Sequence, residues 1–266
     1  MSASPRQALP SLQTFLGDAR IALRALARSR GYTAAALLTL ALGIGASIAI
    51  FSAVNEVMLR PLGFAEPDRL AMLWESNDER DWRQVHAAPA NVEDWRARVT
   101  SFTDVAFLSD FTTDMSLAGG HEASQVTVAQ VSGNLFDVLG VAPMLGRTFR
   151  DAETFEEGRV MLSHRVWQQQ FGSDAAIVGR IVRLDGRAHE VVGVMGPDFR
   201  YAITEADAWT TMPFLARRRG TPWFRRAHLV RPIARLKPGV TFAQAEAELA
   251  AVALDLEREY PDTNKY

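Results

Sequence analysis

The side chains of this 266-residue sequence best suited to proton transfer or metal ligation are five histidines, His86, His121, His164, His189 and His228, and the adjacent acids Asp78 with Glu79 and Glu156 with Glu157. Paired carboxylates can divide acid and base roles and imidazoles can ligate zinc, so the chemistry on offer is acid–base hydrolysis or metal-assisted attack. The spacing argues against both. The histidines are scattered at no metal-ligand interval, and no HExxH, GxSxG or SxxK run is present. Each histidine reads as a surface or hydrogen-bonded residue, and each acidic pair as solvated loop charge. Cysteine is absent, which removes thiolate nucleophiles, disulfides and Cys-based zinc or iron–sulfur sites. A chain without thiols also survives an oxidising compartment without mispairing. No GxxxxGK[ST] run occurs, and neither lysine, Lys237 nor Lys265, lies in a glycine-rich loop, so nucleotide phosphates have no cradle. Any ATP hydrolysis must come from another polypeptide. No catalytic, cofactor-binding or metal-binding residue is assigned, and an enzyme is not expected.

With 48% hydrophobic and 23% charged residues the chain is long enough for a real core and one or two domains. A net charge of -2 supplies no global basic field for nucleic acid.

One stretch departs from this balance. Thr33 to Val54 carries no charge, and about twenty-two residues at about 1.5 Å each make a helix of about 33 Å, long enough to span a hydrocarbon core. Ala41, Gly45 and Ala49 recur at four-residue spacing, with Gly43 and Ser47 beside them, a small-residue stripe on which another membrane helix can pack. A secretory signal peptide is the competing reading, with Ser47-Ile48-Ala49 as its cleavage site. The long lead before the apolar run, and its continuation through Ile50, Phe51 and Val54, favour an uncleaved span. Arg20, Arg24, Arg28 and Arg30 precede the span, which places the N-terminus in the cytoplasm and everything after about residue 60 outside. Upstream, Leu12, Phe15, Leu16, Ala19, Leu23 and Leu26 repeat at helical spacing, as in a helix lying on the cytoplasmic face of the bilayer. The expected organisation is therefore a cytoplasmic amphipathic helix over 1–30, a transmembrane helix over 31–60 and an external domain over 61–266.

The external domain reads as α+β. Arg69 to Ser76 alternates as a strand. A helix starts near Asn91, which with Asp94 resembles a cap, and Val92, Trp95, Val99 and Phe102 form its apolar face. "SQVTVAQV" is a second strand, and Asn134 to Leu139 a short helix stopped by Gly140. "RVMLS" is a strand whose Ser163 caps a helix bearing Val166, Trp167 and Phe171, ended by Gly172. Asp185-Gly186 joins "RIVRL" and "AHEVVGV" as a hairpin. "HLVRPIARL" is a late strand, with Pro232 placing it at a sheet edge. Thr241 and Gln244 make a capping box for a helix with Phe242, Ala245, Leu249, Val252 and Leu256 on one side, ending before Pro261. "RRRGTPWFRR" at Arg217 is the one dense basic and aromatic run, a mobile loop or a partner contact.

The run "LTLALGIGASIAIFSAVNEVMLRPL" with "EPDRL" resembles the N-terminal membrane helix of MacB-like, FtsX-type ABC-transporter permeases. "VSGNLFDVLGVAPMLGRTF", "VMLSHRVWQQQFG", "VGRIVRLDGRAHEVVGVMGPDF" and "RLKPGVTFAQAEAELAAVALDLEREYPDTN" resemble, in order, blocks of the MacB-like periplasmic core domain. The resemblance implies porter-like βαβ units with an inserted part within about 119–226. It also implies an inner-membrane permease subunit driven by a separate ATPase for efflux or periplasmic work, a homodimer, and a periplasmic protein partner. Family members continue into further membrane helices, so the chain is expected to be a portion of a longer permease. Two rivals stand beside it: a singly anchored sensor or binding module, and an anchored hydrolase.

Overall fold

The computed structural model describes residues 64–77, 82–120, 122–199 and 206–264. The expected span Thr33–Val54 and the helix before it, together with Asp78, Glu79 and His121, lie outside the described residues. Among the described residues no helix is long and apolar enough to cross a membrane. The elements run β1 (Leu70–Met72), β2 (Glu75–Asn77), β3 (Trp82–Val85), α1 (Pro89–Arg98), β4 (Phe102–Ala118), β5 (Ser124–Val131), α2 (Leu135–Leu139), β6 (Leu145–Gly146), β7 (Arg159–Leu162), α3 (His164–Phe171), β8 (Ile181–Leu184), β9 (Arg187–Val194), β10 (Ala208–Thr210), α4 (Pro213–Ala216), α5 (Pro222–Arg226), β11 (Val230–Leu236), α6 (Phe242–Glu259) and α7 (Pro261–Asn264).

Two halves share one long strand. In the first half β11 lies between β1 and β4, antiparallel to both. Alternation sends Val105, Phe107, Ala234 and Leu236 to one face, where α1, α5 and α6 bury Trp95, Phe224 and Leu256 with them. Ala106, Leu108 and Ile233 point to the other face and join Phe136 and Leu139 of α2, with Phe149 and Trp209. In the second half the pairings β4–β5, β5–β10, β10–β7, β7–β9, β9–β8 and β8–β4 close a ring of six strands. Closure leaves these strands no free edge. Leu117, Val128, Leu162, Val182, Leu184 and Val191 fill a third core with Trp167 and Phe171 of α3.

The segment between β4 and β11 supplies the other five strands of the ring although those two strands are direct neighbours. β4 changes register against β5 between Leu108 and Thr112, and this bulge bends it from the first sheet into the ring.

Local readings hold wherever neighbouring residues decide them. The Ser163 hydroxyl accepts from the Val166 amide, and Thr241 and Gln244 cap α6 reciprocally. Asp185 and Gly186 both take positive φ, 48° and 78°, as the two-residue turn demands.

Four expectations need correction. The strand over Arg69–Ser76 is two strands, because Leu73 donates to the Pro232 carbonyl and the chain then leaves β11 to pair β2 with β3. α1 starts two residues before Asn91, with Pro89 in its first turn; Asn91 is buried inside the helix and caps nothing. Pro232 is internal. Phe107 opposite it bonds Ser132 of the β5 side, so that register pair exchanges no hydrogen bond, and the missing proline donor faces the side where β1 has ended. Finally, the basic run follows α4 and ends in α5, and buried Leu215 and Phe224 anchor those two helices.

Phe136 is fully buried and meets the rings of Phe149, Phe199 and Trp209 at 6.2, 5.8 and 5.9 Å. Phe136→Ala is expected to cost about 3–5 kcal/mol, read as a fall in the urea midpoint with an unchanged slope.

Candidate functional site

Three features of the first half are built from long-range polar contacts. The first is the strap Phe64–Arg69, where the described chain begins. Arg235 of β11, 8% exposed, donates from Nε to the Val138 carbonyl at 2.6 Å and from Nη2 to the Ala65 carbonyl at 2.7 Å. Arg69 donates from Nε and Nη2 to the Leu236 carbonyl at 2.9 and 2.7 Å. The Ala65 amide donates to the Leu139 carbonyl. Gly140 makes that approach possible: its φ is 66°, and a β-carbon there would stand 2.5 Å from Ala65 Cβ. The strap is therefore stapled to the sheet and to α2.

The second feature is a groove of about 520 Å³ between α6 and the outer edge of β1. Ala71, Leu73, Trp95 and Phe102 line one side, and Phe242, Ala245, Leu249 and Leu256 of α6 the other. β1 pairs only with β11, so its far edge carries no strand among the described residues. Of the apolar stripe expected on α6, Ala245 and Leu256 are buried, Leu249 and Val252 partly so, and Phe242 is 52% exposed. Glu248 ties α6 to the turn after α1: its carboxylate accepts from the Thr100 amide and hydroxyl, both at 2.7 Å, and from the Ser101 amide at 2.9 Å. The Ser101 and Thr100 donors hold its carboxyl down to about 2.

The third is a polar corner at the groove's end. Glu75 accepts from the Ala88 amide at 3.0 Å and the Asn91 side chain at 2.9 Å, and its other oxygen lies 2.8 Å from His228 Nδ1. His86 Nδ1 lies 3.0 Å from Asp110, which also accepts from Arg231 Nε and Nη2 at 2.9 and 2.6 Å. The fold thus brings His86 and His228 together, which their distance in sequence conceals, while His164 packs on Trp167 and His189 sits on the β8–β9 hairpin. Both corner histidines already face carboxylates. Among the described residues no group of three His, Asp or Glu side chains is arranged to hold a metal ion. Glu156 pairs with Arg159 at 2.6 Å, and Glu157 is exposed. Glu75, Asp110 and Arg235 carry no local signature, and no motif singles them out.

The basic run is partly absorbed by α1. Arg225 donates to Asp94 and Asn91 at 2.7 Å and lies 3.7 Å over the Tyr260 ring, and Arg219 meets Glu93 at 3.1 Å.

Residues 33–252 match the family model described as MacB-like periplasmic core domain. No curated protein sequence matches the chain. Among solved structures, the periplasmic region of MacB from Actinobacillus actinomycetemcomitans is similar at TM-score 0.53 and 12% identity, covering 79% of this chain and 91% of that one. The extracellular domain of the noncanonic ABC-type transporter YknZ from Gram-positive bacteria is similar at TM-score 0.50 and 15% identity, covering 71% and 93%. At these identities the likeness is one of fold.

The hydrogen-bonded Glu75 carboxylate pushes the His228 imidazole above its usual 6.5. A raised folded-state pKa contributes stability that is complete below 6.5 and is lost as pH rises through the folded value. Urea midpoints of the wild type are expected to fall as pH rises above 6.5 through that window. Glu75→Gln should flatten the dependence and cost about 1–3 kcal/mol at pH 6.

Proposed function

We propose that the chain, which belongs to the MacB-like periplasmic core domain family, is a subunit of an ABC-type permease and works mechanically. Residues 61–266 are the extracytoplasmic domain of that permease. Thr33–Val54 crosses the inner membrane with the N-terminus in the cytoplasm, and the preceding helix meets a separate ATPase. ATP-driven shifts of the membrane helices displace the external domain, which acts on a substrate or a periplasmic protein. The subunit pairs with a second copy, and nucleic acid is not a partner. The domain performs no bond chemistry.

One observation carries this reading: the strap next to the expected span is fastened to the middle strand of the sheet by Arg235 and Arg69. A flexible tether would need no such fastening. Displacing Phe64–Arg69 displaces β11, and β4 beside it extends that motion into the ring. The groove beside α6 favours a second reading, an anchored binding module whose helix only tethers.

Two variants separate these readings in cells that depend on the permease. Gly43→Leu with Gly45→Leu blocks the small-residue stripe, and Arg235→Ala loosens the strap at a cost of about 1–3 kcal/mol. Both are expected to abolish complementation while the protein still accumulates in the membrane and copurifies with its ATPase. Complementation by both would favour the tether. A reporter fused after Tyr266 should be active outside the cytoplasm, and cytosolic activity would overturn the permease reading.

A further inference from the structure

The α4–α5 corner has more charge than the fold consumes. Five arginines lie between Arg217 and Arg226 with no acid among them. Glu93 faces Arg219 and Asp94 faces Arg225, and burial pushes the Glu93 carboxyl up. Five less two leaves Arg217, Arg218 and Arg226. Arg218 stacks 5.2 Å from the Trp223 ring centroid, and Arg226 donates to the backbone carbonyl of Asp262. None of the three has a carboxylate partner among the described residues.

Apolar surface accompanies this charge. Phe214 and Trp223 are each 38% exposed, although their neighbours Leu215 and Phe224 are buried. Those buried anchors, with the Thr221 hydroxyl donating to the Arg218 carbonyl at 2.6 Å, fix the corner in place before anything binds. Arginine and tryptophan exposed on an anchored corner are the residue types that carry binding energy at protein interfaces.

We propose that this corner is a docking surface for an acidic segment of a second extracytoplasmic protein, its carboxylates on Arg217 and Arg218 and its apolar side chains on Phe214 and Trp223. The arginines left without carboxylates, one of them stacked on Trp223, match an acidic and partly apolar segment by charge complementarity. The strap is held at the Leu236 end of β11, whereas Arg225 reaches Asn91 in the first turn of α1, beside the Val230 end bonded to Ala87. Seven strand residues, about 20 Å, separate those ends, so the strap and the corner lie at opposite ends of β11. The assignment of a periplasmic partner rests on the permease reading, and the surface chemistry stands by itself.

The test uses the full-length protein in detergent micelles and a fluorescent synthetic peptide of alternating glutamate and leucine, followed by anisotropy. Saturable binding is expected, weakened about tenfold or more by Arg217→Glu with Arg218→Glu, and similarly by Trp223→Ala. It should also weaken at about 0.3 M salt. The glutamine-for-glutamate peptide should not bind, and Arg187→Glu on the distant β8–β9 hairpin should change nothing. Because the substituted side chains are exposed, unchanged thermal midpoints are expected alongside. Absence of peptide binding, or binding indifferent to these substitutions, would overturn the proposal. So would binding of the protein to phosphatidylglycerol vesicles, but not to the peptide, that the same substitutions abolish, since that outcome assigns the corner to lipid. Failed docking with an extracytoplasmic reporter removes the docking surface alone; a cytosolic reporter with peptide binding intact removes the permease reading alone.

Discussion

A buried guanidinium must find oxygen acceptors or destabilise the fold that encloses it, and Arg235 finds them in the Val138 and Ala65 carbonyls. That requirement makes the first described residues part of the sheet. Ala65 is drawn against Gly140, Arg69 closes on Leu236 beside it, and the chain enters β1 already aligned with β11. Without this clamp the strap would be a surface tail.

From β11 the constraint passes to β4, whose 17 residues serve both halves. The bulge near Ser109–Phe111 lets one strand belong to an open sheet and then to a closed ring without ending. Asp110, at this bend, is held by Arg231 and His86, so the polar corner braces the point where the strand changes direction. The charged residues here are engaged as braces. That use suits the proposed transmission of displacement, with the groove beside α6 and the exposed α4–α5 corner as candidate contact surfaces among the described residues.

Much of this was legible in the sequence because it is decided within a few residues. Ser163, the Thr241–Gln244 pair and Asp185-Gly186 act on backbone groups no more than four positions away, and each does in the fold what its spacing predicts. Pro232 was misread because a lost donor matters only if a strand lies opposite it, and where β1 ends is not written near Pro232. Asn91 looked like a cap because Glu75, which serves the first turn of α1 instead, lies on a different strand. The same distance hid the His86–His228 corner and the clamp on the strap. Ring closure through β8 and β4 joins residues more than sixty apart, a separation at which periodicity carries no information. The family, by contrast, was legible from the ordered succession of blocks, none of them diagnostic alone.

The claim that the strap and the ring move as one body can be measured directly, because the chain has no cysteine of its own. Spin labels on cysteines introduced at Glu66 and Arg187, one on the strap and one at the far hairpin, give their separation by electron–electron double resonance in the reconstituted permease. A single narrow distance distribution, unchanged between the nucleotide-free and ATP-hydrolysing states, is the predicted result. A broad distribution, or a shift on ATP hydrolysis, would mean that the strap swings free of the domain, and mechanical transmission through Arg235 would be wrong.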